Sequence, residues 1–64
     1  MKKLKIEKLR EEKGWSQEQL AKKIGVSDRT IRTWESDVEH LRNAKGKHLL
    51  KLCKVFKVTL DQII

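Results

Sequence analysis

The sequence has no proline, no tyrosine and only one cysteine. A single cysteine cannot form a disulfide within the chain, so packing and hydrogen bonds have to hold the fold. Apolar residues never run for more than two positions, which excludes a transmembrane helix of about 20 apolar residues. No basic segment followed by an apolar stretch opens the sequence, so export is not expected. We therefore expect a cytoplasmic protein with no membrane association.

Acidic residues are scarce relative to basic ones, at 9 against 16, which gives a net charge of +7. Residues 1–32 account for +5 of this charge and residues 33–64 for +2. An excess of this size favours polyanionic partners, with nucleic acid first. At 64 residues the chain has room for one small domain and not for a catalytic domain beside a substrate domain. We expect a single all-α domain over residues 1–64.

Glycines and capping residues divide the chain into predicted helices. Helix 1 covers residues 4–13 and stops at Gly14. Ser16 with Gln19 forms a capping box that opens helix 2, which ends at Gly25, and Ser27 caps helix 3. Two helices joined by a three-residue turn containing glycine are typical of a helix-turn-helix, here over residues 16–36.

The sequence pattern after residue 36 defines the secondary structure less clearly. Residues 37–46 have no clear stop or cap before Gly46 and are interpreted as a loop that can contain helical turns. Helices 4 and 5 then occupy about 47–64, with Thr59 and Gln62 as a second capping box for the short helix 5. The expected fold is five helices around one core.

The stretch GWSQEQLAKKIGVSDRTIRTWES (residues 14–36) resembles the lambda-repressor-like (Cro/CI, XRE) helix-turn-helix domains of phage, plasmid and bacterial regulators. The resemblance rests on the residues SQ at the start of helix 2, on LA in its middle, and on Gly25, Ile31 and Glu35. LLKLCKVFKVTLDQII at the end resembles the last two helices of that family. Asp37 stands where the family usually has glycine, and the segment before helix 4 is a few residues longer. The resemblance implies a compact five-helix DNA-binding domain, encoded by a prokaryote, phage or plasmid and associated with the nucleoid.

In a helix-turn-helix the second helix lies in the major groove. The polar stripe of helix 3 supplies the candidate base contacts: Asp28, Arg29, Arg32 and Thr33. Arginine grips guanine O6 and N7 in bidentate fashion, and threonine contacts either a polar base edge or a thymine methyl. Asp28 is open to two interpretations, since it can accept from cytosine N4 or simply complement the helix dipole.

Helix N-termini and basic side chains suit phosphate oxygens. The candidate phosphate contacts are Ser16, Gln17, Ser27, Arg10, Arg42, Asn43 and Lys45, with Lys47 beside them. The resemblance makes Gln17 the preferred phosphate clamp, and it pairs Arg10 with Glu35 in a mainly structural ion pair. For Arg42, Asn43 and Lys45, contact with DNA and simple solvation are equally good interpretations.

The tryptophans and the cysteine are predicted to pack in the core rather than to form a functional site. Trp15, Trp34 and Cys53 sit at core or staple positions. His40, His48 and Cys53 are too loosely spaced for a zinc site, and no catalytic constellation or cofactor motif is present, so we expect neither enzyme, metal nor cofactor.

The leading functional hypothesis is a sequence-specific regulator of double-stranded DNA, a repressor in the first instance. We expect a homodimer on an inverted repeat, because one recognition helix reads only a few base pairs. The predicted dimer interface is apolar and C-terminal: Leu60, Ile63 and Ile64. The alternative is a protein-interaction module, such as an antitoxin with secondary DNA binding, for which residues 37–48 would be the contact segment.

Overall fold

The computed structural model describes residues 4–64, and the first three residues of the predicted domain lie outside this range. Five α-helices follow one another with short connections. They are α1 (Lys5–Glu12), α2 (Gln17–Ile24), α3 (Asp28–Ser36), α4 (Val38–Arg42) and α5 (Gly46–Phe56), followed by a 3-10 helix (Leu60–Gln62). No strand occurs among the described residues, so the all-α prediction is confirmed.

The boundaries of α2 follow from its capping residues. Ser16 Oγ accepts from Gln19 N at 3.1 Å, and Gln19 Oε1 accepts from Ser16 N at 2.8 Å, which completes the predicted capping box. Gly25 ends the helix at φ +89°, a left-handed conformation that costs glycine nothing. Val26 N then donates back to Ala21 O at 3.0 Å, so the chain reverses sharply toward α3.

The helix α3 is capped by Ser27, whose Oγ accepts from Thr30 N at 3.2 Å. It ends at Asp37, where the backbone turns extended, with φ −143° and ψ 104°. The same Asp37 caps the next helix, because its Oδ1 accepts from Glu39 N at 3.0 Å. One residue therefore separates α3 from α4.

Residues 37–46, which the sequence predicts as a loop that can contain helical turns, contain a short α-helix, α4, in their middle. Leu41 is fully buried and Val38, three residues earlier, is partly buried, so this short helix has an apolar face of its own. A helix of five residues has little intrinsic stability, and burial of Leu41 holds it in place. The predicted helix 4 is consequently α5 of the structure.

The C-terminal part of the fold begins where α5 ends without a glycine. Lys57 takes the left-handed conformation at φ +56°, and Val58 N donates to Cys53 O at 3.0 Å. A non-glycine residue in this conformation costs roughly 1 kcal/mol relative to glycine. The predicted helix 5 is only a 3-10 turn, in which Gln62 Oε1 accepts from Thr59 N at 3.0 Å.

The core lies between all of these elements. Its fully buried side chains are Ile6, Leu20, Ile24, Ile31, Leu41, Leu52 and Ile63. Each of the five α-helices contributes at least one buried apolar side chain, and α2 packs closely against α3. The helix-turn-helix therefore packs into the same core as the other helices and is not a separate pair of helices on the surface.

Ile63 corrects the predicted dimer interface. Its side chain is 1% exposed and belongs to the core of its own chain, because the 3-10 turn folds the C-terminus back over the helices. A side chain already buried in this way offers no surface to a second copy. Of the predicted set, Leu60 is 44% exposed and Ile64 is partly buried.

Candidate nucleic-acid interface

The outward stripe of α3 carries two arginines in different situations. Arg32 Nη2 lies 3.1 Å from Asp28 Oδ2, one helical turn earlier, and both side chains remain more than half exposed. Arg29 is exposed, and its guanidinium makes no ion pair or hydrogen bond with residues 4–64. Arg32 therefore has an ion-pair partner within α3, whereas Arg29 has none among the described residues.

Thr33 completes the stripe. Its Oγ1 donates to Arg29 O at 3.0 Å within the same helix, and the residue is partly buried. A hydroxyl bonded back to its own helix has used its proton, so its methyl group and its lone pairs are what remain for a partner.

The N-terminus of α2 lies close to the C-terminal end of α3 through side-chain contacts. Gln17 Nε2 donates to Glu35 Oε1 at 2.9 Å, which fixes the amide of this residue against α3. Ser16 Oγ accepts as the cap of its own helix, and Ser16 N already donates to Gln19 Oε1. Gln17 can therefore meet a phosphate chiefly through its backbone N–H at the positive end of the helix dipole, and Ser16 through its hydroxyl proton.

Arg10 and Glu35 join α1 to α3. Arg10 Nε lies 2.6 Å from Glu35 Oε2, its Nη2 lies 3.2 Å from Glu35 Oε1, and its Nη1 donates to Trp15 O at 2.7 Å. The side chains are only 12% and 4% exposed. Hydrogen bonding to Glu35 raises the pKa of Arg10, against a smaller opposing effect of burial. Since arginine is protonated below pH ~12 in either state, this contribution is present throughout the physiological range.

This geometry corrects one predicted phosphate contact. The Arg10 guanidinium is directed inward, toward Glu35 and the Trp15 carbonyl, and little of it reaches the surface. A phosphate would have to compete with a buried carboxylate for the same donors. We therefore assign Arg10 to the structural pair alone.

The sequence was compared with protein-family models, and the helix-turn-helix family model matches residues 6–63. The match extends over nearly the whole chain, including α4 and α5. The chain belongs to the lambda-repressor-like (XRE) helix-turn-helix family. This confirms the resemblance seen in the sequence, and it makes the chain a DNA-binding helix-turn-helix regulator. Comparisons with curated proteins and with solved structures gave no significant match.

In this helix-turn-helix protein Ser27, the last residue of the turn between α2 and α3, contacts Thr30 in the first turn of α3. Their hydroxyl oxygens lie 3.0 Å apart, and Ser27 is exposed. The Ser27 hydroxyl serves the cap of α3, so a phosphate at this point would meet a hydroxyl that is already oriented.

The residues after α3 are fixed by local contacts. Arg42 Nη1 lies 3.5 Å from Glu39 Oε1, and Asn43 Nδ2 donates to Glu39 O at 2.9 Å. Lys45 is exposed at the N-cap position of α5, without a side-chain capping bond. Glu39 was not recognised in the sequence as the residue that organises this segment, although its spacing of three from Arg42 is the ordinary signal for a helical ion pair.

The aromatic residues pack inside or against the domain. Trp34 is 4% exposed, and its ring centroid lies 5.9 Å from that of His48. Trp15 stacks on Phe56 at 5.7 Å between centroids, and Lys23 Nζ lies 4.6 Å from the Trp15 ring centroid. Neither indole is presented flat to solvent as a platform for base stacking.

The histidines, cysteine and carboxylates do not cluster. Within residues 4–64 no group of three or more potential metal ligands comes together. In the same range no helix is both long and apolar enough to cross a membrane. Cys53 is a partly buried free thiol on α5.

Proposed function

We propose that this helix-turn-helix protein is a sequence-specific repressor that reads the major groove of double-stranded DNA with α3. The whole chain acts as one domain, and the cytoplasm, with the DNA of the nucleoid, is its place of action. The observation that carries the proposal is the outward stripe of α3, where Arg29 and Arg32 project from a helix whose opposite face is locked into the core. The major groove admits a helix and offers guanine O6 and N7 to each arginine.

The two arginines have different tasks in this proposal. Asp28 pairs with Arg32 on the exposed stripe of α3, which favours one direction of the Arg32 guanidinium. Arg29 adapts, since none of the described residues holds its guanidinium. Asp28 acts as a positioning residue, because a carboxylate so close to phosphates is repelled unless it is paired. Thr33 presents its methyl group to thymine.

Phosphate contacts fix the register of α3 in the groove. On one side they come from the start of α2, at Ser16 and Gln17, and from the turn at Ser27. On the other side they come from the end of α4, through Arg42, Asn43 and Lys45. The Gln17–Glu35 hydrogen bond makes these contacts rigid relative to α3, because Glu35 belongs to the recognition helix itself.

Salt dependence tests the phosphate contacts. The logarithm of the duplex affinity should fall linearly with the logarithm of the salt concentration, with a slope of about −0.9 per neutralised phosphate. The double variant Arg42→Ala/Lys45→Ala should flatten this slope by about 2, measured by fluorescence anisotropy on one duplex. Lys8→Ala/Lys13→Ala is the matched control, since it also removes two positive charges, at exposed positions on and just after α1. An unchanged slope in the double variant would remove α4 from the interface.

The protein acts as a homodimer in this proposal, through Leu60 and Ile64. Leu60 is one of two large apolar side chains that the described chain leaves exposed, and Ile64 lies at the same end of the molecule. Leu60→Asp should shift sedimentation equilibrium from dimer toward monomer while the circular dichroism spectrum stays helical. A dimer that persists in this variant would place the interface elsewhere.

A further inference from the structure

The outward face of α5 carries an apolar groove that DNA binding does not use. Its wall on one side is α5, with Leu50 and Cys53, and on the other side the segment after α5, with Val58. Leu50 is 69% exposed, more than any other large apolar residue in the described part of the chain. The groove has a volume of about 590 Å³, enough for several side chains. Leu50, Cys53 and Val58 together give the groove an apolar lining, against which one face of an amphipathic helix can pack.

The charges around this groove have one sign. Lys51, Lys54 and Lys57 line it, and no carboxylate does. None of the three lysines forms an ion pair with residues 4–64. By contrast, the neighbouring groove between α1 and the 3-10 turn contains lysines together with Glu12 and Asp61, so its charges are balanced. The α5 groove therefore has an unbalanced positive potential over an apolar lining.

Lys57 adds an independent observation. It holds the left-handed conformation that glycine adopts more cheaply, and its side chain lines the groove. Glycine at this position would end α5 equally well and would remove one of the three charges. The left-handed backbone is what the C-cap of α5 requires, so the choice of lysine at this position adds a charge to the groove without adding anything to the cap.

We propose that this groove binds an acidic, amphipathic helical segment of a partner protein, with apolar side chains against Leu50 and Val58 and carboxylates against Lys51, Lys54 and Lys57. A helix with apolar residues every three or four positions fits a groove of this kind. The residues that line the groove include none of α3 and none of the proposed phosphate contacts, although Lys51 Nζ lies close to Gly25 in the turn between α2 and α3. A partner bound there therefore contacts no residue that the proposal assigns to DNA.

Other occupants fit the same surface less well. A second copy related by a two-fold axis would set lysines against lysines, which is repulsive. DNA would have to cover Leu50 with a strongly hydrated phosphate backbone. A flat anionic membrane matches an apolar convex face better than a concave one. A second copy and a membrane surface each give a distinct result in the peptide-selection test.

The test is selection from a randomised library of displayed peptides of about 15 residues, long enough for four helical turns. The full chain is the target, alongside two variants with the same change in net charge. Leu50→Glu/Lys54→Glu alters the groove, and Lys13→Ala/Lys22→Glu alters exposed residues elsewhere. Circular dichroism melting confirms that both variants are folded. Peptides rich in Asp and Glu, with apolar residues at helical spacing, should be enriched on the parent and on the second variant. Their affinity for the groove variant should be lower by about tenfold or more.

Several results would overturn the proposal. One is the absence of enrichment on the parent chain. Equal losses in the two variants would show a general attraction of acidic peptides to a basic protein. Self-association that Leu50→Glu/Lys54→Glu abolishes would assign the groove to a second copy. Sedimentation with anionic phosphatidylserine vesicles that depends on Leu50 would assign it to a membrane surface.

Discussion

Replacing Arg32 with glutamate is expected to abolish sequence-specific binding of DNA by this protein. The change removes a bidentate base contact worth about 1–3 kcal/mol of discrimination, and it brings a second carboxylate next to Asp28 on the face that meets DNA. The combined loss should reach about 100-fold or more in affinity for the preferred duplex, since every 1.4 kcal/mol is about tenfold. Fluorescence anisotropy with that duplex and with a scrambled one measures the effect.

Two variants separate the role of the charge from that of the contact. Arg32→Lys keeps the charge and loses the bidentate geometry, so its preference for the specific duplex should fall by about 1–3 kcal/mol while its nonspecific binding stays unchanged. Lys8→Glu makes the same charge change as Arg32→Glu at an exposed position on α1 and should keep most of the preference. If Lys8→Glu and Arg32→Glu lost the same amount, net charge rather than base reading would explain the binding.

The second large effect is expected in stability. Glu35→Ala should lower the free energy of unfolding by about 3 kcal/mol, because it leaves the Arg10 guanidinium confined without its counter-charge. The change also removes the acceptor of the Gln17 amide. For a domain of this size such a loss is a large part of the total stability. Urea unfolding, followed by the fluorescence of Trp15 and Trp34, measures it.

Glu39→Ala is the control for this prediction. Glu39 also pairs with an arginine, Arg42, but both side chains are more than half exposed, and such pairs contribute about 0–1 kcal/mol. The double variant Arg10→Met/Glu35→Leu should recover most of the lost stability, because it removes both buried charges together. A loss below about 1 kcal/mol in Glu35→Ala would show that solvent screens the pair despite its burial.

Much of the fold was predictable from the capping residues, whose hydrogen bonds join groups close together in the sequence. Ser16 with Gln19, Gly25 and Ser27 each determine one helix boundary through hydrogen bonds within a few residues, and the structure has them as expected. Such contacts depend on the neighbouring sequence alone. The match to the helix-turn-helix family then accounts for how these helices are arranged relative to one another.

Features that depend on tertiary contacts were harder to predict. Asp37 ends α3 and caps α4. In the sequence it is recognisable only as the residue that stands where the family usually has glycine. The sequence predicts an exposed position for Ile63, because the burial of this side chain depends on how the other helices pack around it. The inward direction of Arg10 and the Gln17–Glu35 hydrogen bond likewise follow from how α1, α2 and α3 meet. The Asp28–Arg32 pair is different, since its spacing of four was visible in the sequence.

Selection of bound duplexes from a randomised DNA pool, followed by sequencing, tests the central claim most directly. The account predicts an enriched inverted repeat with half-site centres about 10 bp apart, in which guanines occupy the positions that Arg29 and Arg32 read. In a parallel selection with Arg32→Glu, this repeat should not be enriched. Retention that depends on salt but enriches no sequence would contradict the proposed reading by α3 and leave a DNA-binding domain without specificity.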